Sequence, residues 1–185
     1  PLSYLCAMAT TITKTKRMDI AFAALLSDDD VQILTALTRI EEDGDARAIK
    51  PLLQALGRTK DAKIQNRITS LLFQVKAKDA TNQLFAALED PTLLDVRQTI
   101  LATFWNAGLD LRDHLDRFVD LAISGDAGEC FECLTVIENQ EIWPEKDARL
   151  ALKKVSSAAK SETDAYKKAI LEDLVKALEY RLGVE

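Results

Sequence analysis

The 185-residue chain has little glycine, little proline and no long apolar run. Six Gly and four Pro are too few for an all-β protein built from many turns. No stretch approaches the roughly 18 uninterrupted apolar residues of a membrane-spanning helix. Three Cys are an odd number, which does not favour a secreted disulfide framework. These absences predict a soluble cytoplasmic protein.

Basic residues are in the minority. The chain has 24 Lys and Arg against 30 Asp and Glu, a formal charge of −6. This balance counts against nucleic acid as a partner, because phosphate binding needs a basic surface. The remaining composition, 48% hydrophobic and 29% charged, is that of an ordinary globular protein.

The beginning of the chain carries no helical pattern. The segment Thr10 to Arg17 is polar and basic, with no apolar period. We therefore expect residues 1–17 to be a loose N-terminal tail, or residues added to the natural chain, and residues 18–185 to form one domain.

From Met18 onward, apolar residues recur at helical spacing. Short breaks rich in Asp, Ser, Gly or Pro separate pieces of about ten to twenty residues, a normal helix length. No alternating run is long enough to predict a strand. The sequence therefore predicts an all-α protein.

The helices also repeat as pairs. Equivalent apolar residues in the second helices are Ile33, Ile64, Val96 and Cys130, and their spacings are 31, 32 and 34 residues. One pair cannot cover both of its apolar faces, so stacked pairs would share a continuous core. We expect an α-solenoid of about five helix pairs, with residues 144–185 as the capping pair. The expected core comprises Ile33, Leu37, Ile64, Ile68, Val96, Ile100, Leu134 and Ile137.

Three turns carry the signature of a particular repeat. Leu88–Arg97 reads Leu-Glu-Asp-Pro-Thr-Leu-Leu-Asp-Val-Arg, Leu25–Gln32 is a weaker copy, and Gly44–Leu53 has the proline of a first-helix entry. These segments resemble HEAT repeats, from Met18 to about Gln140. The resemblance implies an armadillo-type, right-handed superhelix of antiparallel helix pairs.

The resemblance also implies a role for Arg97. An Arg at this place in HEAT-like repeats ties the inter-helix turn of its own or the next repeat, so we favour a structural role over ligand binding. Asp95 is the partner we assign to the repeat ion pair, with Asp90 and Asp126 as alternatives.

Two motifs could carry metal or redox chemistry. Cys130 and Cys133 form a C-x-x-C, but Cys130 falls at a core position of the repeat and no second ligand pair is available. His114, the only histidine, lies among Asp110, Asp113 and other charged residues, a pattern more typical of an ion-paired outer helix. We therefore expect no metal, no cofactor and no catalytic residue.

The exposed side of the second helices offers a candidate binding surface. In HEAT-like repeats these helices line the concave face. Phe73 and Trp105 are 32 residues apart, one repeat, so they could stack as neighbours, or both rings could instead turn inward. Exposed aromatic side chains flanked by Arg are typical of a protein-binding hot spot. The candidate partner-binding residues are Phe73, Trp105, Arg39, Arg67, Asn66 and Gln98.

These patterns favour a non-catalytic scaffold that binds another protein across its concave face, with no membrane contact. The alternative is enzymatic, because HEAT-like folds also occur in DNA glycosylases and phycobilin lyases. The charge of −6 opposes the glycosylase, and only the fold favours the lyase. A positive concave surface would favour DNA binding.

Overall fold

A computed structural model describes residues 13–184, and this part of the chain is mostly helical with no strand. The prediction of an all-α protein is confirmed. The α-helices of the described part are α1 Lys14–Leu25, α2 Asp30–Asp43, α3 Ile49–Arg58, α4 Ala62–Phe73, α5 Ala80–Leu88, α6 Arg97–Asn106, α7 Leu115–Ser124, α8 Ala127–Asn139, α9 Glu145–Ser161 and α10 Ala165–Leu182. Short 3₁₀ segments, Ala46–Ala48 and Pro91–Val96, lead into α3 and α6.

Polar side chains fix where several helices begin. The carboxylate of Asp61 accepts hydrogen bonds from the amides of Lys63 and Ile64 at 2.8 and 3.0 Å. Asp29 and Asp164 cap α2 and α10 in the same way. Each carboxylate satisfies amides that have no partner within the helix. The Asp-rich breaks in the sequence therefore mark the helix starts.

The first helix begins earlier than the sequence indicates. The hydroxyl of Thr13 accepts from the amide of Lys16, and α1 starts at Lys14, four residues before the expected start of the domain at Met18. The N-cap therefore stabilises a first helical turn, Lys14 to Arg17, that has no apolar periodicity. The rest of the expected tail, residues 1–12, lies outside the described residues.

The structure divides into two compact units, Pro1–Ala87 and Leu88–Glu185, where the sequence predicts one domain over residues 18–185. The division falls at the end of α5, before Asp90 and Pro91 interrupt the helix.

In the first unit, α1 packs on α2 and α3 on α4, while α1 also contacts α3 and α2 contacts α4. The expected core residues Ile33, Leu37, Ile64 and Ile68 are all buried between these helices.

The second unit repeats this arrangement. Here α7 packs on α8 and α9 on α10, while α8 contacts both α6 and α10. Val96, Ile100, Leu134 and Ile137 are buried as expected. Phe104 and Phe118 meet edge to face, with ring centroids 5.0 Å apart. The burial predicted from the repeat register is therefore confirmed in both units.

Candidate functional site

Trp105 lies near the end of α6 and is partly exposed. Its indole Nε1 donates a hydrogen bond to Oε2 of Glu132 on α8, at 3.0 Å. An indole N–H needs such an acceptor when it leaves water. The ring is therefore held against α8 with part of its surface in solvent, and its neighbour Phe104 supplies the fully buried aromatic side chain of this helix.

Phe131 and Gln98 lie beside this contact. Phe131 precedes Glu132 on α8, and half of its surface is exposed. Gln98 on α6 is exposed, and its amide approaches Gly128 of α8 so closely that a Cβ there would lie 2.0 Å from Nε2. We call the surface formed by Gln98, Trp105, Phe131 and Glu132 the α6–α8 face.

The other expected partner-binding residues belong to the first unit. Phe73, the last residue of α4, is partly buried, whereas Asn66 and Arg39 are exposed. Phe73 and Trp105 lie in different units, so their stacking stays a prediction.

Arg67 has partners within its own unit. One guanidinium nitrogen donates to the hydroxyl of Thr38 at 3.1 Å and to the carboxylate of Glu41 at 2.9 Å. Arg67 therefore joins α4 to α2. A partner protein that contacts Arg67 would compete with Thr38 and Glu41 for the guanidinium.

Arg97 joins the turn before α6 to the start of α8, through a different acidic residue from the one predicted. Its Nε donates to Glu129 in the first turn of α8, and a terminal nitrogen donates to the carbonyl of Leu88. The ion pair is therefore made with Glu129 and not with Asp95, which is exposed. The side chains of Arg97 and Glu129 are only 19% and 12% exposed.

Glu129 also caps α8. Its Oε2 accepts from the amide of Asp126 at 3.3 Å, while Asp126 accepts from the amide of Glu129 at 2.8 Å. A Cβ at Gly125 would lie 2.3 Å from this carboxylate oxygen, so the close approach requires glycine there. One carboxylate thus satisfies a helix N-terminus and pairs with Arg97.

Cys130 and Cys133 are both fully buried in α8. Burial raises the pKa of the Cys130 thiol to about 11, and it raises the pKa of Cys133 well above its usual range. The thiolate is the form that attacks disulfides and binds metals. Both cysteines are therefore core residues, as the repeat position of Cys130 predicts.

Several of the charged residues around His114 are ion-paired. Arg112 binds Asp110 at 2.6 Å, and its hydrogen bond holds the pKa of Asp110 below its ordinary value. Arg117 binds Glu89, also at 2.6 Å, and Lys154 on α9 binds Asp120. Among the described residues, no group of three or more His, Cys, Asp or Glu could hold a metal ion.

Lys167 on α10 is a largely buried lysine. Its Nζ donates to the carbonyl of Ile123 at 2.7 Å and lies 3.3 Å from Glu162, with 11% of the side chain exposed. Asp164 and Lys167 help hold the pKa of Glu162 below its ordinary value, through an amide and an ammonium donor respectively. Lys167 thus joins α10 to the end of α7.

No protein-family model, curated protein or solved structure matches the chain. Over residues 13–184, none of the helices combines the length and the apolar character needed to cross a membrane.

Proposed function

We propose that this chain is a non-catalytic scaffold that binds another protein, built as a HEAT-like α-solenoid. The packing supports the solenoid. Within each unit, helices pack on their sequence neighbour and on the helix two positions along, as stacked helix pairs do. The tie from Arg97 to Leu88 and Glu129 is the kind of contact that the repeat resemblance implies.

The α6–α8 face is the surface we assign to the partner. The observation that carries this assignment is that two large aromatic side chains, Trp105 and Phe131, are left partly and half exposed beside the packed contact of α6 with α8. Gln98 and Trp105 of α6 meet α8 at Gly128 and Glu132, and Phe131 follows Gly128 by three residues, so both aromatic side chains border the contact between α6 and α8.

The geometry of Trp105 also suits binding. Because Glu132 satisfies and orients the indole N–H, the ring loses little conformational freedom when a partner covers it. Trp and Tyr dominate binding hot spots for this reason and because of their large apolar area. In the first unit, the proposed partner-binding residues remain Phe73, Asn66, Arg39 and Arg67.

The test measures partner capture by immobilised variants of the full chain, from an extract of the cells that produce the protein. Trp105→Ala and Phe131→Ala should each weaken capture of the same protein by about 2 kcal/mol, roughly thirtyfold in Kd. Leu150→Ala is the matched control, since Leu150 is an apolar residue of α9 that is 60% exposed. Equal capture by all three variants would contradict the assignment.

A further inference from the structure

A groove of about 1320 Å³ lies in the second unit, at the end of α8, the start of α9 and the end of α10. Its charged lining includes Glu138, Glu141, Asp173 and Arg181. We call this cavity the C-terminal groove. Neither Trp105 nor Phe131 lines it, and its volume, above the roughly 300–1,000 Å³ of a small-molecule pocket, is large enough for a peptide segment.

The cations of the C-terminal groove are already engaged. Lys176 binds Asp173 at 2.8 Å. Arg181 donates to the backbone carbonyls of Glu138 and Glu141 at 2.7 and 3.0 Å. These carbonyls lie at and just beyond the end of α8, where the helix dipole favours a cation.

Two carboxylates of the groove lining remain available to a partner. Glu138 and Glu141 are exposed, and in the described part of the chain neither side chain forms an ion pair. A third carboxylate of the lining, Glu145, binds Arg149 at 2.7 Å. Glu138 and Glu141 are therefore the charges that a cationic partner would meet first.

Apolar side chains accompany these carboxylates. Ile142 is 62% exposed and Tyr180 is 86% exposed, and both line the groove. Trp143 also lines the groove but is buried. Its Nε1 donates to the carbonyl of Ile137 at 3.0 Å, which holds the segment between α8 and α9 in place. A partner would therefore find an ordered floor, apolar contacts and unpaired negative charge together.

We propose that the C-terminal groove binds a basic, amphipathic helical segment of a partner protein. Lys or Arg side chains of the segment pair with Glu138 and Glu141, and an apolar side chain packs against Ile142 and Tyr180. This is the helix-in-groove mode of recognition with complementary charge. The inference does not depend on the α6–α8 face.

The test uses a labelled synthetic peptide of roughly 14 residues, with Leu at helical spacing and Lys elsewhere, and fluorescence anisotropy with the full chain at low salt. A second peptide carries Glu in place of Lys. The Lys peptide should bind, and the Glu peptide should not. Glu138→Gln/Glu141→Gln and Tyr180→Ala should each weaken binding at least about tenfold.

Two control variants test whether the loss of peptide binding is specific to the groove. Glu42→Gln/Asp95→Asn removes the same charge from exposed residues that do not line the groove, and it should leave binding unchanged. Trp105→Ala should also leave it unchanged, so a failure of the α6–α8 face is distinguishable. Far-UV circular dichroism establishes that each variant is folded.

Several results would overturn the proposal. In the first case, the Lys peptide fails to bind, and in the second, the Glu peptide binds as tightly as the Lys peptide. In a third case, the control variant weakens binding as much as Glu138→Gln/Glu141→Gln does. A dimer in sedimentation experiments that Tyr180→Ala dissociates would assign the groove to a second copy of the chain instead.

Discussion

Replacing Arg97 with methionine should destabilise the second unit more than any exposed charge substitution. Arg97→Met keeps most of the apolar length of the side chain and removes the guanidinium. The carboxylate of Glu129 then loses its cation, and the carbonyl of Leu88 loses a donor. The variant therefore tests whether this tie fixes the turn before α6 to the start of α8.

The magnitude follows from burial. With side chains only 19% and 12% exposed, the pair is weakly screened by water. A hydrogen bond to a charged group contributes about 1.5 to 3 kcal/mol, and the guanidinium donates both bonds, so about 3 kcal/mol is the lower end of their combined loss. Arg97→Met should therefore lower the free energy of unfolding by roughly 3 to 4 kcal/mol, in the range for breaking a buried pair. Glu129→Gln keeps a side chain that can cap α8, so it should cost less.

Urea denaturation followed by tryptophan fluorescence measures this loss. Both tryptophans, Trp105 and Trp143, belong to the second unit, so the signal reports on the unit that contains the pair. A double-mutant cycle of Arg97→Met and Glu129→Gln should give a coupling energy of about 1.5 kcal/mol or more.

An exposed ion pair supplies the control for this cycle. Arg149 and Glu145 are 58% and 71% exposed, and their coupling should be close to zero. A coupling below about 0.5 kcal/mol for Arg97 and Glu129, equal to that of the exposed pair, would refute the reasoning.

Three further predictions concern the core and the face. Ile68→Ala should cost roughly 2 to 5 kcal/mol by far-UV circular dichroism, because Ile68 is fully buried, and an unchanged midpoint would contradict the repeat register. Burial raises the pKa of Cys130 from 9.0 to about 11, so the unfolded thiol ionises first and stability should fall as pH rises from about 9 to 11. Cys130→Ala/Cys133→Ala should flatten this alkaline loss, and a profile unchanged by the double substitution would assign the loss to other groups. Trp105→Ala should cost less than about 2 kcal/mol in unfolding, because the ring is partly exposed, whereas a loss of roughly 3 to 5 kcal/mol would indicate an inward-packed ring.

The helices and their buried faces could be predicted from sequence because both depend on local rules. Asp29, Asp61 and Asp164 cap helices from within a few residues, and apolar spacing decides which face is buried. Ile68 and Cys130 are buried for this reason. The start of α1 was set too late because Thr13 caps a turn that has no apolar period.

Contacts between helices were harder to predict, because they depend on how side chains turn at the interface. The sequence predicts Asp95 as the partner of Arg97, yet Glu129 lies 32 residues away and meets Arg97 through packing. The sequence does contain a signal for it, since Asp126-x-x-Glu129 reads as a capping box and places Glu129 at the start of α8.

The candidate site was predicted in part. Trp105 and Gln98 are among the predicted partner-binding residues, and the structure adds Glu132, which accepts a hydrogen bond from Trp105. Phe131 was missed because it follows the core position of Cys130, and the equivalent residues of the two preceding repeats, Gln65 and Arg97, are not aromatic. The engagement of Arg67 by Glu41 was missed because that partner lies on another helix.

Site-specific photo-crosslinking tests the proposed function most directly. A photoreactive phenylalanine analogue replaces Phe131 in one sample and Leu150 on α9 in another, and both are irradiated in an extract of the cells that produce the protein. Protein binding through the α6–α8 face predicts one discrete adduct with a partner from position 131 and none from position 150. Excess unlabelled chain should remove this adduct, while the Trp105→Ala chain should compete poorly. No adduct from position 131, or the same adduct from both positions, would contradict it.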